Sequence, residues 1–141
     1  MALSANRTLD LRNVQTMRDG YGVIATSSVI YKHALVCQED DGLGVVPAAD
    51  TATTVFLGLA KTGPLTGDGT EVCEYIYNID AKLTSVGLSA GNIGALVFCL
   101  DDQKVTSTNS KGPVAGPMVH YESTNLIWVW LRGPASAKAS S

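Results

Sequence analysis

The residues able to do chemistry are few and scattered. The two histidines, His33 and His120, each stand inside a strand-like run, and no Ser-His-Asp spacing, G-x-S-x-G or H-E-x-x-H surrounds either. Cys37, Cys73 and Cys99 are an odd number, widely spaced, with no C-x-x-C and no histidine placed to complete a zinc set. Each sits in an apolar run (LVCQ, EVCEY, VFCL), which reads as buried free thiols behaving as small hydrophobes in a reducing compartment. The acidic turn Gln38-Glu39-Asp40-Asp41-Gly42 lacks the alternating ligands of a calcium loop and suits a tight hairpin. Gly63-Pro64-Leu65-Thr66-Gly67-Asp68-Gly69-Thr70 lacks the Gly-Lys-Ser/Thr of a phosphate loop, carries an acid, and also reads as a hairpin turn. Asp101 and Asp102 are adjacent, so an extended chain points them to opposite faces, a poor basis for paired acid-base work. The expectation is a protein with no catalytic residues, no metal site and no cofactor.

The elements that carry these residues are short and β-rich. Gly occurs 14 times in 141 residues, and Gly or Pro punctuates nearly every window of ten. No stretch sustains the i, i+3, i+4, i+7 apolar pattern of a helix. Strand-like runs cover 21–26, 29–38, 44–47, 55–60, 71–80, 95–100, 104–106, 117–121 and 126–131. This predicts an all-β fold, a small β-barrel or β-sandwich of short antiparallel strands, with at most one short helix at 81–89 or 50–54. In 71–80 (EVCEYIYNID), Cys73, Tyr75, Tyr77 and Ile79 share one face. The last run, 126–131 (LIWVWL), is apolar on both faces, with Trp128 and Trp130 on the same side. Such a strand is either central to the core or covered by another subunit, so Tyr75, Tyr77, Trp128 and Trp130 are the candidate oligomer interface. Ala34-Leu35-Val36 followed by Asp40-Asp41, and Ala95-Leu96-Val97 followed by Asp101-Asp102, suggest two related strand-turn-strand units.

Charge divides the chain. The net charge is −3, yet residues 1–18 carry +2 and residues 132–141 another +2, around an acidic body. With no basic run and no apolar stretch near membrane length, neither nucleic acid nor a bilayer is an expected partner. The start has no apolar leader segment, which reads as a product made in the cytoplasm. The organisation expected is an extended N-terminal arm at 1–19, a β-rich domain at 20–131 and a flexible tail at 132–141. Within the arm, 8–14 (TLDLRNV) alternates but is offered no neighbouring strand locally, so it reads either as a segment that pairs with a sheet on another chain or as an ordinary first strand.

The run 94–108 (GALVFCLDDQKVTST), followed by Gly112-Pro113-Val114-Ala115-Gly116 and the apolar strand Ile127-Trp128-Val129-Trp130-Leu131, resembles the small capsid decoration, or cement, proteins of tailed bacteriophages. Residues 20–24, 34–36 and 55–60 fit the first half of the same pattern. The resemblance implies a non-enzymatic β-barrel or β-sandwich, often trimeric, that binds the major capsid protein on the outer surface of the virion shell and reinforces it. With that partner, Arg7, Thr8, Leu9, Asp10, Leu11, Arg12 and Val14 become the candidate capsid-binding arm, mobile in the free protein and ordered on the shell. The rival readings are another β-rich virion component, in a tail or fibre, and a carbohydrate-binding β-sandwich that uses the four aromatic rings as stacking platforms.

Overall fold

The computed structural model describes residues 2–39, 44–49, 54–107, 112–123 and 125–135. Its strands are β1 (Leu11–Arg12), β2 (Arg18–Val23), β3 (Val29–Ile30), β4 (Leu35–Gln38), β5 (Val45–Pro47), β6 (Val55–Ala60) and β7 (Leu65–Thr66). They continue with β8 (Val72–Tyr77), β9 (Ile79–Val86), β10 (Leu96–Cys99), β11 (Lys104–Thr106), β12 (Val114–Ser123) and β13 (Leu126–Leu131). Among the described residues, helical geometry is confined to the 3-10 turns Val14–Thr16, Ala90–Asn92 and Gly133–Ala135. The protein is all-β, as composition and periodicity predict.

One expected helix is corrected. Residues 81–89 do not form a helix, because most of that segment belongs to β9. Ile79, Ala81, Leu83 and Ser85 are buried while Asp80, Lys82 and Thr84 are half-exposed, a strict period of two. That pattern overrides the helix preference of Ala81, Lys82 and Leu83. The other expected helix, at 50–54, falls mostly outside the described residues. Asn78, at φ 60°, separates β8 from β9.

The strands close into two rings of one design. The first runs β2-β8-β6-β4-β5 through antiparallel ladders. A parallel bridge between Ile24 and Val45 closes it, with the Ala25 N–H donating to the Val45 carbonyl at 3.0 Å. The second runs β9-β13-β12-β10-β11, and β11 returns to β9 as a parallel pair. In each ring the first strand meets the fifth, the fourth, the second and then the third. The β-rich body therefore holds two tandem five-stranded barrels, one built from β2, β4, β5, β6 and β8, the other from β9 to β13.

The equivalence extends to single hydrogen bonds. His33 and Gly94, both at positive φ (59° and 92°), donate their N–H groups to Ala60 and Met118, each at 2.8 Å. Ala60 and Met118 donate back to Ala34 and Ala95, each at 2.9 Å. A bulge follows Val36 in one barrel and Val97 in the other, opposite Gly58 and Gly116. These glycines have φ of 156° and 148°, and a Cβ on either would run into the carbonyl of the last strand, Ile76 or Trp130. The paired Ala-Leu-Val motifs of the sequence mark a structural repeat.

The first barrel is filled by Ile24, Val36, Val45, Cys73 and Tyr75. Gly20 makes room for the Tyr75 ring, which a Cβ there would meet at 2.5 Å. The second is filled by Ala81, Leu83, Val97, Val105, Ile127 and Val129. The outer face of the first barrel, Leu35, Cys37, Phe56, Leu59 and Ile76, belongs to this same second cluster. One continuous apolar core fuses the barrels, each fully buried large side chain contributing about 1.5–3 kcal/mol. All three cysteines are free and buried, as expected, Cys37 and Cys99 in this core and Cys73 inside the first barrel.

Candidate functional site

The arm finds its sheet on its own chain. Leu11 and Arg12 stand opposite Ala81 and Asp80 of β9, and the Lys82 N–H donates to the Asp10 carbonyl at 3.0 Å. Arg7 reaches three carbonyls at once: Nε donates to His33 at 3.0 Å, and its terminal nitrogens donate to Asp102 and Gln103, both at 3.1 Å. Burial holds its guanidinium below the ordinary value, though a guanidinium stays charged. The Leu9 N–H donates to His33 Nδ1 at 2.9 Å, Lys32 Nζ lies 3.4 Å from Thr8 Oγ1, and Asp10 pairs with Lys82 at 3.2 Å. Leu9 and Leu11 pack on the second core cluster and Leu3 on the first. Val14 lies beyond β1, its side chain exposed and its carbonyl accepting the Met17 N–H at 3.0 Å. Of the two readings of 8–14, the structure shows the segment paired within its own chain: β9 offers an unpaired edge, the outward carbonyls near 33 and 102–103 match the Arg7 fork, and both lie within reach.

His33 makes this strap pH-sensitive. Its Nδ1 must be unprotonated to accept the Leu9 N–H, and burial, reinforced by the charges of Lys32 and Arg7, lowers its pKa below 6.5. The unfolded chain therefore takes up the proton first, so the contribution is complete above about pH 6.5 and is lost as pH falls through the folded value. Asp102, raised above 3.8 chiefly by burial, has the opposite sign: its cost at neutral pH is relieved as pH falls toward that value. Urea midpoints are expected to fall between about pH 7 and pH 5. His33→Asn, which tolerates the positive φ and keeps an acceptor, should flatten the fall; an equal drop in both proteins would remove His33 from the account.

The four aromatic candidates do not form one interface. Tyr75 is inside the first barrel, with the half-buried Tyr77 ring 6.1 Å away. Trp128 is on the outer face of the second barrel but is covered: the Arg12 guanidinium lies 3.7 Å over its ring. Its Nε1 donates to Glu122 at 2.8 Å, a bond that lowers the Glu122 pKa, and Lys82 joins Glu122 to Asp10. Tyr75 and Trp128 are therefore unavailable as partner-facing or stacking surfaces. Trp130, two residues on, is 39% exposed.

Trp130 ends an apolar row that the repeat makes interpretable. Leu96 stands opposite Pro117, Pro117 lies beside Trp130, and Trp130 stands opposite Asp80. The same row in the first barrel is Leu35, Leu59, Ile76 and Asp19. There Leu35 and Leu59 are 0% exposed and Ile76 5%, sealed in the seam between barrels; Leu96 is 42% exposed. The Trp130 indole is held in place, its Nε1 donating to Asn78 Oδ1 at 3.0 Å while Asn78 Nδ2 donates to the Thr16 carbonyl at 3.0 Å. Shallow grooves flank it, one lined by Asn13, Thr16, Asp80 and Val119, the other by Arg18, Tyr77, Arg132 and Pro134. A fixed aromatic ring with an apolar flank and a polar rim is the usual composition of a protein-binding hot spot. Sequence reasoning singled out Trp130 but missed Leu96 and Pro117; laying the two repeats over each other would have aligned Leu96 with Leu35. No family model, curated protein or solved structure matches this chain.

Proposed function

We propose that the chain is a non-enzymatic structural protein that binds the major capsid protein on the outer surface of a phage shell and stabilises it, acting as a homo-oligomer. The row Leu96-Pro117-Trp130 carries this reading: a solvent-facing apolar strip whose counterpart in the other barrel is buried against protein. A surface so matched to a buried one favours assembly over small-molecule chemistry, and the resemblance of 94–131 to capsid decoration proteins supplies the kind of assembly. A trimer is the order that resemblance implies, and a head-to-tail contact at the row can close into such a ring.

The test is sedimentation of the purified chain, alone and with expanded shells, for the parent and for Trp130→Ala and Leu96→Ala. If the row is used, Trp130→Ala should weaken self-association or shell attachment by about 2 kcal/mol or more, roughly 30-fold, with the monomer still folded. Unchanged sedimentation in both settings would remove the row as an interface.

A further inference from the structure

The repeat also compares two strand edges. Ile24 and Ser85 occupy the same place, each beside the closing strand at Val45 or Val105, and Val23 and Thr84 stand opposite Val72 and Leu126. Asp19, Gly20 and Tyr21 of β2 are thus the counterparts of Asp80, Ala81 and Lys82 of β9. On β9 the first two positions pair with β1, and the third, Lys82, donates its N–H to Asp10 just ahead of it. On β2 no strand among the described residues lies there. The Ile24 N–H turns toward β8, donating to the Glu71 carbonyl at 2.9 Å, and the Ala25 N–H turns the other way, to Val45. Alternation along the strand then aims the backbone N–H and C=O groups of Asp19, Tyr21 and Val23 away from β8. Tyr21 is 76% exposed.

We infer that this edge of β2 is a docking site for an extended protein segment carrying a basic residue, which adds as a strand in the place that β1 holds on β9. Main-chain hydrogen bonds provide the attachment, as in other strand additions. The charge of the segment follows from the repeat. On the second barrel Arg12 of the added strand lies over Trp128, whose counterpart beside β2 is Glu74. Glu74 and Asp19 present two exposed carboxylates, with Lys61 reaching them only at 3.9 and 3.8 Å. A Lys or Arg at the Arg12 position would meet both acids. The site does not depend on the shell-binding reading, although a segment of the shell protein would satisfy it.

The probe is a synthetic peptide of residues 8–14 (TLDLRNV), a sequence that already pairs in this geometry, with a charge-reversed copy carrying Arg12→Glu. It is titrated into the full-length chain while amide exchange is followed by nuclear magnetic resonance. The Tyr21 amide should slow by about tenfold or more at saturation, Lys82 should be unchanged, and the charge-reversed peptide should bind at least about fivefold more weakly. Tyr21→Pro deletes the outward N–H without touching the β8 ladder and should abolish binding, whereas Tyr21→Ala should retain it. Slowing at Lys82 instead of Tyr21, no slowing at either, or equal binding of both peptides would overturn the inference. The exchange measurement on the unsubstituted chain decides the matter even if Tyr21→Pro fails to fold.

Discussion

Gly116→Ala and Gly58→Ala are each expected to destabilise the protein by about 3–5 kcal/mol, combining backbone strain with forced displacement of a neighbouring strand. For a chain of this size that lowers the thermal midpoint by roughly 10–15 °C. Both glycines sit at the bulge of their barrel, at φ 148° and 156°, with the last strand's carbonyl where a Cβ would go. Gly69 isolates the two contributions: it has φ 93° and nothing within 4 Å, so Gly69→Ala should cost only the strain, about 1–2 kcal/mol. Gly94→Asn should cost less again, because its counterpart His33 already carries a side chain at φ 59°. Calorimetric unfolding of the four variants reads the ordering directly. Similar midpoints for Gly69→Ala and Gly116→Ala would mean that the bulges are not closely packed and that the repeat is looser than described.

Arg7→Ala is expected to cost about 2–4 kcal/mol and to release the strap. It removes three charge-assisted bonds to the carbonyls of His33, Asp102 and Gln103 from a partly exposed site, where each is worth less than in a core. Arg7→Lys should not restore the loss, since one ammonium cannot span three carbonyls. Arg12→Ala, which removes only the stack on Trp128, should cost about 1 kcal/mol. Denaturant unfolding gives the energies, and amide exchange at Lys82, bonded to Asp10, reports whether the strap has lifted. An Arg7→Ala protein with unchanged stability that no longer attaches to shells would instead return the arm to the role of anchor.

The chain's periodicity makes most strands legible: the runs at 44–47, 55–60, 104–106 and 126–131 sit within one residue of β5, β6, β11 and β13. β9 is the strand that periodicity hides. Ala81, Lys82 and Leu83 favour a helix locally, and the alternation that makes them a strand is clear only once Asn78 is known to break the run at positive φ. Without β9, periodicity offers 8–14 no neighbouring strand, and the sequence leaves open whether its partner lies on its own chain or another. The repeat was visible at Ala34-Leu35-Val36 and Ala95-Leu96-Val97 but not downstream, because intervals of 61 residues at β4 and β10 shrink to 54 at β8 and β13 as loops shorten. For the site, an aromatic pair on one face was readable at Trp128 and Trp130. That Arg12 covers one ring and leaves the other open depends on an arm folded back from far along the chain, which strand periodicity does not encode.

The measurement that bears most directly on the proposed role is cryo-electron microscopy of intact particles that carry this chain. Density is expected for paired five-stranded barrels on the outer face of the shell, with the Leu96-Pro117-Trp130 row buried against another copy or the capsid protein. Barrels found in a tail or fibre, or absent from the shell surface, would contradict it.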